Sequence, residues 1–235
     1  RSPGIDAQAI EDVILGCAMP EGEQGLNVAR NVSFLAGLPL SVAAVTVNRF
    51  CASSMEAIAQ ATRAVWCGDG ELFVAGGLES MGHVPMGGFN PSLNEKLMAD
   101  GMPDAYISMG LTAENVARRY SISREEQDRF ALASHMRAVS ARERGRFEAE
   151  TVRIEADTPS GKTMIKDDDG PRPGTTIEAL SALPPVFLKD GTVTAGNSSP
   201  LTDGAAMVII SSRRMAKSLG IRPIAKVRAM AVAGV

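Results

Sequence analysis

The chain lacks the features of disulfide-rich, membrane-spanning and nucleic-acid-binding proteins. Its 235 residues include only three cysteines and two histidines, and the formal net charge is −3. An odd number of cysteines without zinc-like spacing excludes a disulfide framework or a zinc site of the usual kind. No run approaches the ~18 apolar residues of a membrane span, and no basic tract marks a nucleic-acid surface. We therefore predict a cytoplasmic protein with reduced thiols, no membrane span and no nucleic-acid partner.

Motifs for phosphate and metal binding are also missing. The sequence contains neither a G-x-G-x-x-G segment nor a Walker-type loop. It shows no carboxylate pair and no set of side chains with metal-ligand spacing. We predict no metal site and no bound cofactor.

What the chain does contain is an alternation of strand-like and helical stretches. Short β-branched runs precede segments with apolar residues at helical spacing, and Gly or Pro separates them. Strands are predicted at 13–17, 42–47, 71–75, 206–210 and 224–232, and helices at 6–11, 24–35, 52–66, 112–120, 123–144 and 213–219. This order predicts an α/β layered domain with a largely parallel sheet.

Cys51 occupies the most informative position in this pattern. It follows the strand predicted at 42–47 and precedes a nearly all-apolar helix, which predicts a helix buried inside a layered protein. Free N–H groups and the positive end of a helix dipole favour a thiolate there. Cys51 is thus either a nucleophile or one more buried structural thiol. Cys17, within a strand, and Cys67, at a helix C-terminus, are predicted to be structural.

A cysteine nucleophile needs a base, and the histidines offer a weak choice. His135 falls among polar residues in the middle of a predicted helix, which favours a surface position. His83 follows the strand at 71–75 and could approach the site, but a cysteine–histidine pair needs hydrogen-bond geometry. We predict that the base for Cys51 lies outside this chain.

The chain divides into three stretches. Residues 1–83 form the first part of the α/β core, residues 84–190 an inserted subdomain, and residues 191–235 the return to the core. The Gly191–Ala206 turn is either a tight connection or a ligand-facing loop, since small residues let a substrate approach the backbone. Arg172, between two prolines, is either a surface charge or a partner for a phosphate.

Five motifs, in order, resemble those of the thiolases and cover nearly the whole chain. They are Val47–Ser54 around Cys51, Ala75–Met81, Met109–Ala117, Ile122–Asp128, and Gly191–Ser199 with Asp203–Ala206. The sequence Met109–Thr112 resembles the degradative 3-ketoacyl-CoA thiolases more closely than the biosynthetic acetoacetyl-CoA thiolases. The resemblance implies one α/β half of an αβαβα sandwich with a mainly helical loop domain inserted.

The resemblance also implies an acyltransferase reaction of fatty acid β-oxidation. Cys51 would attack the 3-keto carbon of a 3-ketoacyl-CoA, release acetyl-CoA and form an acyl-cysteine that coenzyme A then accepts. Coenzyme A is a substrate here, not a cofactor. Family positions place it along Met109, Arg172, Phe187, Ala195 and Ser199. Ser108 replaces a histidine of some members, and Ser199-Pro200 replaces a Ser-Gly pair, so these contacts can differ.

The family's second half, with a histidine, a second cysteine and an oxyanion-hole asparagine, has no counterpart in this sequence, nor has its first strand. We expect these 235 residues alone to be inactive. The resemblance further implies a homodimer or homotetramer, and leaves open a β-oxidation hydratase/dehydrogenase partner subunit. The alternatives are a biosynthetic acetyl-CoA C-acetyltransferase and a non-catalytic acyl-CoA- or lipid-binding thiolase-like protein.

Overall fold

A four-stranded mixed sheet lies at the centre of the fold. The computed structural model describes residues 4–99, 101–158 and 161–234. The strands are β1 (Asp12–Gly16), β2 (Ala43–Val47), β3 (Leu72–Ser80) and, after the hairpin strands β4 and β5 given below, β6 (Asp203–Ser211). Their order is β2-β1-β3-β6, with β1 parallel to both β2 and β3, and β6 antiparallel to β3. The predicted α/β fold with a mostly parallel sheet is confirmed.

Helices cover both faces of this sheet. Because side chains alternate along a strand, β1 contributes to two apolar clusters. Helix α1 (Val28–Leu35) packs over one cluster and helix α2 (Ser53–Cys67) over the other. The cluster beneath α2 contains Ile14, Ala57, Ala61, Phe73 and Ala75, and the cluster beneath α1 contains Val13, Leu15, Ala29 and Val42. The result is three layers, helix–sheet–helix, and α2 follows the segment that carries Cys51 in the chain.

The chain forms two compact units. One, the core unit, comprises Ser2–Ser92 with Leu201–Val235, and the other, the inserted unit, comprises Leu93–Pro200. The core unit also contains α7 (Arg213–Ser218). The inserted unit is mainly helical, with α3 (Glu95–Ala99), α4 (Met109–Tyr120), α5 (Arg124–Glu143), α6 (Ile177–Ser181) and a hairpin of β4 (Ile154–Thr158) and β5 (Gly161–Ile165). The predicted domain limits remain a prediction, and their ends at residues 1–3 and 235 lie outside the described residues.

Local capping chemistry explains where α5 begins. The Glu126 N–H donates to the Ser123 hydroxyl at 3.2 Å, and the Ser123 N–H donates to the Glu126 carboxylate at 2.7 Å. This reciprocal pair satisfies two N–H groups that a helix start leaves without partners. Ser123 and Glu126 thus form a capping box at the start of α5.

Three secondary-structure predictions are wrong. Residues 224–232 form no strand, since no described strand lies beside them to complete a ladder. The helix predicted over 24–35 begins only at Val28, because Leu26 and Asn27 adopt left-handed backbone angles, with φ of 52° and 59°.

The helix predicted over 6–11 is a single 3₁₀ turn, Ala7–Ala9.

Burial of α2 on all sides is also not observed in the described chain. Its sheet-facing side is buried, but Met55 and Trp66 on the other side are 74% and 55% exposed. The apolar composition of the helix therefore reflects two faces of different exposure.

Candidate active site

Cys51 lies in a short turn between β2 and α2. The strand ends at Val47, the helix begins at Ser53, and the Cys51 side chain is exposed. The sequence placed the cysteine at this strand-to-helix junction. An exposed thiol just before the N-terminus of a helix lies at the positive end of the helix dipole, a position typical of reactive cysteines.

Hydrogen bonds from both sides close this turn. The Phe50 N–H donates to Asn48 Oδ1 at 2.8 Å, forming an Asx turn. The Arg49 N–H donates to the Ser53 hydroxyl at 2.8 Å, and that hydroxyl donates to the Phe50 carbonyl at 2.5 Å. Ser53 is 3% exposed, so the two bonds of its hydroxyl are partly shielded from water, whereas the bond between Phe50 and Asn48 is exposed. The backbone on either side of Cys51 is therefore fixed.

Phe50, the residue before Cys51, has a left-handed backbone. Its φ is 45°, which is uncommon for a bulky residue. Such a conformation costs on the order of 1–3 kcal/mol and persists only where the surroundings hold it. Strain of this kind is concentrated at functional sites. The turn thus has the backbone character of a segment that presents a reactive group.

Two glycines let the start of α2 approach the sheet. A Cβ on Gly16, at the end of β1, would overlap the Ser53 and Ser54 backbone. A Cβ on Gly77, in β3, would overlap the Ser54 side chain. Only glycine permits this contact of helix start with strand ends. The glycines thereby fix the height of the Cys51 turn above the sheet.

Arg49 is paired with α2 rather than free to face the thiol. Its Nη1 lies 2.8 Å from the Glu56 carboxylate, which also accepts from Arg63 Nη1 at 3.2 Å. Burial by itself would raise the pKa of Glu56, but hydrogen bonds from Gln60 and Arg63 and the charges of both arginines lower it. Arg49 therefore helps to attach the turn to the helix.

The other two cysteines lie in different surroundings. Cys17 is 1% exposed, with Sγ 3.6 Å from the Glu79 carboxylate. Burial and that neighbouring charge raise the pKa of Cys17 to about 11, so it remains a thiol at neutral pH. Cys67 is exposed at the C-terminus of α2.

His83 belongs to the same unit as Cys51, and no hydrogen bond joins these two described residues. His83 is exposed, and its Nδ1 lies 4.0 Å from Glu23. His135 Nδ1 accepts the Arg172 N–H at 3.1 Å, so this half-buried ring holds a loop of the inserted unit. Within the core unit, His83 therefore supplies no base for Cys51.

In the inserted unit, Met109 and Phe187 lie near one another. Met109 is the first residue of α4, capped by Ser108, whose hydroxyl accepts from the Leu111 N–H at 3.4 Å. A Cβ on Gly110 would overlap the Phe187 ring, so that ring lies directly against the start of α4. Both apolar side chains are partly exposed, as a ligand-facing wall requires.

Buried carboxylates hold the loop that contains Ala195 and Ser199. Glu114, 5% exposed, accepts the N–H groups of Thr192 and Val193, each at 2.8 Å. Burial by itself would raise the pKa of Glu114, but these bonds and the Thr192 hydroxyl outweigh it and lower the pKa. Ala195 and Ser199 are exposed on this fixed loop.

Asp128 also holds this loop, through a hydrogen bond from Asn197. This fully buried carboxylate accepts from Arg124 Nε at 2.8 Å and from Asn197 Nδ2 at 3.0 Å. Asn197 Oδ1 in turn accepts the Thr194 N–H at 2.8 Å. The loop is a rigid element, consistent with the ligand-facing alternative raised for it.

Arg172 presents its side chain to solvent from a fixed backbone. Its N–H donates to His135, and its carbonyl accepts the Thr175 hydroxyl at 2.9 Å. Its guanidinium forms no ion pair with the residues that the structure describes. An exposed cation on a fixed backbone fits either alternative, a surface charge or a phosphate partner.

Comparison with known proteins identifies the fold family. The model of the thiolase N-terminal domain matches residues 1–214. The chain belongs to the thiolase family. It is 50% identical over its whole length to the 3-ketoacyl-CoA thiolase of Aeromonas hydrophila, 48% to that of Bacillus subtilis strain 168, and 49% to that of Shewanella sp. strain MR-7. It spans 60%, 62% and 60% of those three proteins.

The residues predicted for the site are divided between the two units. Cys51 belongs to the core unit, whereas Met109, Arg172, Phe187, Ala195 and Ser199 belong to the inserted unit. The groups that hold these segments, Asn48, Glu79, Glu114, Asp128 and Asn197, were not singled out from the sequence. All five lie within the thiolase-like motifs, and the motif match is the signal that could have found them.

Among the residues that the structure describes, no group of three or more His, Cys, Asp or Glu side chains is arranged to hold a metal ion. Every helix among those residues is too short or too polar to cross a bilayer.

Proposed function

We propose that this chain supplies the acyl-accepting cysteine of a degradative 3-ketoacyl-CoA thiolase. The observation that carries the proposal is Cys51, exposed in a strained, hydrogen-bonded turn at the N-terminal end of α2. The names of the relatives, all 3-ketoacyl-CoA thiolases, support the same reaction. The activity proposed is cytoplasmic fatty acid β-oxidation.

The reaction is a two-step acyl transfer. The Cys51 thiolate adds to the 3-keto carbon, and the C2–C3 bond breaks with its electron pair going to C2. C2 then takes a proton, so acetyl-CoA leaves and the acyl group remains on Cys51 as a thioester. The thiolate of a second coenzyme A attacks that thioester and releases the shortened acyl-CoA and the Cys51 thiolate. Since His83, the histidine of the core unit, makes no hydrogen bond to Cys51, we assign the acid–base group to residues beyond this chain.

The inserted unit is proposed to bind coenzyme A. Met109 and Phe187 would form apolar walls, and Ala195 and Ser199 would lie along the pantetheine. The support is that Glu114 and Asp128 hold their loop rigid with small, exposed residues outward. Arg172 would pair with a phosphate at the nucleotide end, since its guanidinium is exposed. We also propose the domain limits predicted from the sequence, in which residues 84–190 are the loop domain.

Assembly is proposed to follow the family. The protein would act as a homodimer or homotetramer, with a hydratase/dehydrogenase subunit as a further partner. Light scattering of the purified protein measures the first, and co-purification with such an enzyme the second. A monomer in an active preparation would contradict the assembly proposal.

The acyl-enzyme is the direct test of the reaction. The protein expressed from its full reading frame is incubated with a 3-ketoacyl-CoA and no free coenzyme A, quenched with acid and mapped by peptide mass spectrometry. We expect the acyl mass on the Cys51 peptide and none on the Cys67 peptide. Absence of acyl-Cys51 in a preparation that cleaves the substrate would refute the proposal.

The chain-length profile decides the direction. Thiolysis is measured with 3-ketoacyl-CoA substrates from acetoacetyl-CoA to long chains. We expect cleavage of substrates longer than acetoacetyl-CoA. Activity confined to acetoacetyl-CoA would support the biosynthetic alternative instead.

Arg172 provides a test of the coenzyme A proposal. Arg172→Ala is expected to raise the KM for coenzyme A roughly tenfold, since a charged hydrogen bond to phosphate is lost. Arg137→Ala is the matched control, because Arg137 is also exposed in the inserted unit. Equal KM values for the two variants would remove Arg172 from the proposed site.

A further inference from the structure

A chain of hydrogen bonds links the end of β3 to the Cys51 turn through Asn48. The Glu79 carboxylate accepts the N–H groups of Ala18 at 2.8 Å and Met19 at 3.1 Å. The Ala18 carbonyl accepts from Asn48 Nδ2 at 2.9 Å. Asn48 Oδ1 accepts from the N–H of Phe50, the residue before Cys51, at 2.8 Å. One amide side chain therefore bonds the neighbouring loop and the Cys51 turn together.

The Glu79 end of this chain is itself well fixed. Gln24, 2% exposed, donates to Glu79 Oε1 at 2.9 Å and to the Met19 carbonyl at 2.8 Å. The Ser80 N–H donates back to Gln24 Oε1. The segment that receives the Asn48 amide is thus immobilised by buried polar groups, which bond strongly where water is excluded.

Asn48 also helps to hold the strained part of the turn, since it binds the Phe50 N–H while Ser53 binds the Phe50 carbonyl. Phe50 has a φ of 45°, and the bond from its N–H to Asn48 favours this conformation over the ordinary right-handed one. Without that acceptor, the bonds of Ala52 and Ser53 alone hold the turn, so Cys51 is held less firmly before α2. We propose that Asn48 is a positioning residue, which holds the Cys51 thiol at the helix start by bonding Phe50 and Ala18. This inference rests on the proposed role of Cys51 as the nucleophile.

The three cysteines make a test inside one molecule. Limiting iodoacetamide labels the protein expressed from its full reading frame, and peptide mass spectrometry gives separate rates for Cys51, Cys67 and the buried Cys17. The ratio of the Cys51 rate to the Cys67 rate reports the turn, and protection of Cys17 reports an intact core. A variant that merely loosens the fold would expose Cys17 to alkylation. A change in the Cys51/Cys67 rate ratio would then not report the turn specifically.

Asn48→Ala is expected to lower the Cys51/Cys67 rate ratio about three- to tenfold with Cys17 still protected, because one to two hydrogen bonds are lost. Asn48→Ser keeps an acceptor for the Phe50 N–H but cannot reach Ala18, so its ratio is expected to fall less. Asn31→Ala is the matched control, since Asn31 likewise donates one amide bond to a backbone carbonyl, that of Gly25, at 3.4 Å. Its ratio should equal that of the wild type.

An unchanged or higher ratio in Asn48→Ala, with Cys17 protected, overturns the inference while the proposed function stands. If Asn48→Ala exposes Cys17, the Asn48→Ser variant decides: a lower ratio supports the inference and an unchanged ratio overturns it. If wild-type Cys51 reacts no faster than Cys67, the proposed function fails, and the inference fails with it.

Discussion

The two ends of helix α2 carry the two exposed cysteines of the described chain, and they are built differently. Before the N-terminal end, Cys51 lies in a turn closed by Asn48 and Ser53 and close to Gly16 and Gly77. At the C-terminal end, Cys67 precedes Gly68, which has a φ of 81° and donates to the Val65 carbonyl at 3.4 Å.

Both thiols are exposed, but the helix dipole favours a negative charge at one end and disfavours it at the other. Exposure alone therefore does not make a nucleophile. The two cysteines differ in their position on the helix dipole, because the N–H groups of α2 point toward its N-terminal end and the carbonyls toward its C-terminal end.

The largest expected difference between the ends is catalytic. In the protein from the full reading frame, Cys51→Ser is expected to lower kcat about 10³-fold or more, since a covalent nucleophile is lost. Cys67→Ser should stay within about twofold, because surface substitutions rarely matter more. Thiolysis assays measure both, and an active Cys51→Ser variant would contradict the difference.

The N-terminal end of α2 can also be perturbed by a substitution in the sheet beneath it. Gly77→Ala is expected to lower the free energy of unfolding by about 1–3 kcal/mol, because its methyl group overlaps Ser54. Gly204→Ala is the control within the same sheet: nothing lies within 4 Å of the added Cβ, so a change of about 0.5 kcal/mol or less is expected. Urea denaturation compares the two. Equal losses would show that the close approach is unimportant.

The C-terminal end should respond to a change in its cap, and with less effect. Gly68→Ala places a Cβ in a left-handed conformation and is expected to cost about 1 kcal/mol of unfolding free energy. Because Cys51 lies at the opposite end of α2, its alkylation rate should not change. A slower Cys51 in Gly68→Ala would mean that the two ends are not independent.

The smallest effect concerns Cys17, which belongs to neither end. Its pKa rises from 9.0 to about 11 on folding, so the folded state holds its proton where the unfolded state has lost it. Stability from this group is complete below pH 9 and declines as pH rises through 11. Between these values the wild type should lose more unfolding free energy than Cys17→Ala. Parallel slopes in pH-dependent urea denaturation would argue against the raised pKa.

The spacing of apolar residues predicted most of the core strands and helices, because each of these elements buries one or both of its faces. It predicted the junction at Cys51 because a β-branched run and a helical run meet there. It failed at 224–232, where an apolar pattern has no described neighbouring strand, and at Leu26, where the left-handed backbone leaves no periodic trace.

The groups that fix the site escaped prediction for another reason. Glu79 bonds Ala18, sixty-one residues away, and Glu114 bonds Thr192, seventy-eight residues away. Their partners are backbone N–H groups, which every residue but proline carries, so the sequence holds no sign of the pairing. Only the folded chain shows which acids hold which loops.

The most direct test of the account compares alkylation of Cys51 and Cys67 in the same wild-type molecules. Limiting iodoacetamide is added at neutral pH, and the two peptides are quantified over time by mass spectrometry. We expect Cys51 to react on the order of tenfold faster, because it lies at the positive end of α2 in a closed turn. Equal rates, or a faster Cys67, would contradict the central claim that this turn makes Cys51 a nucleophile.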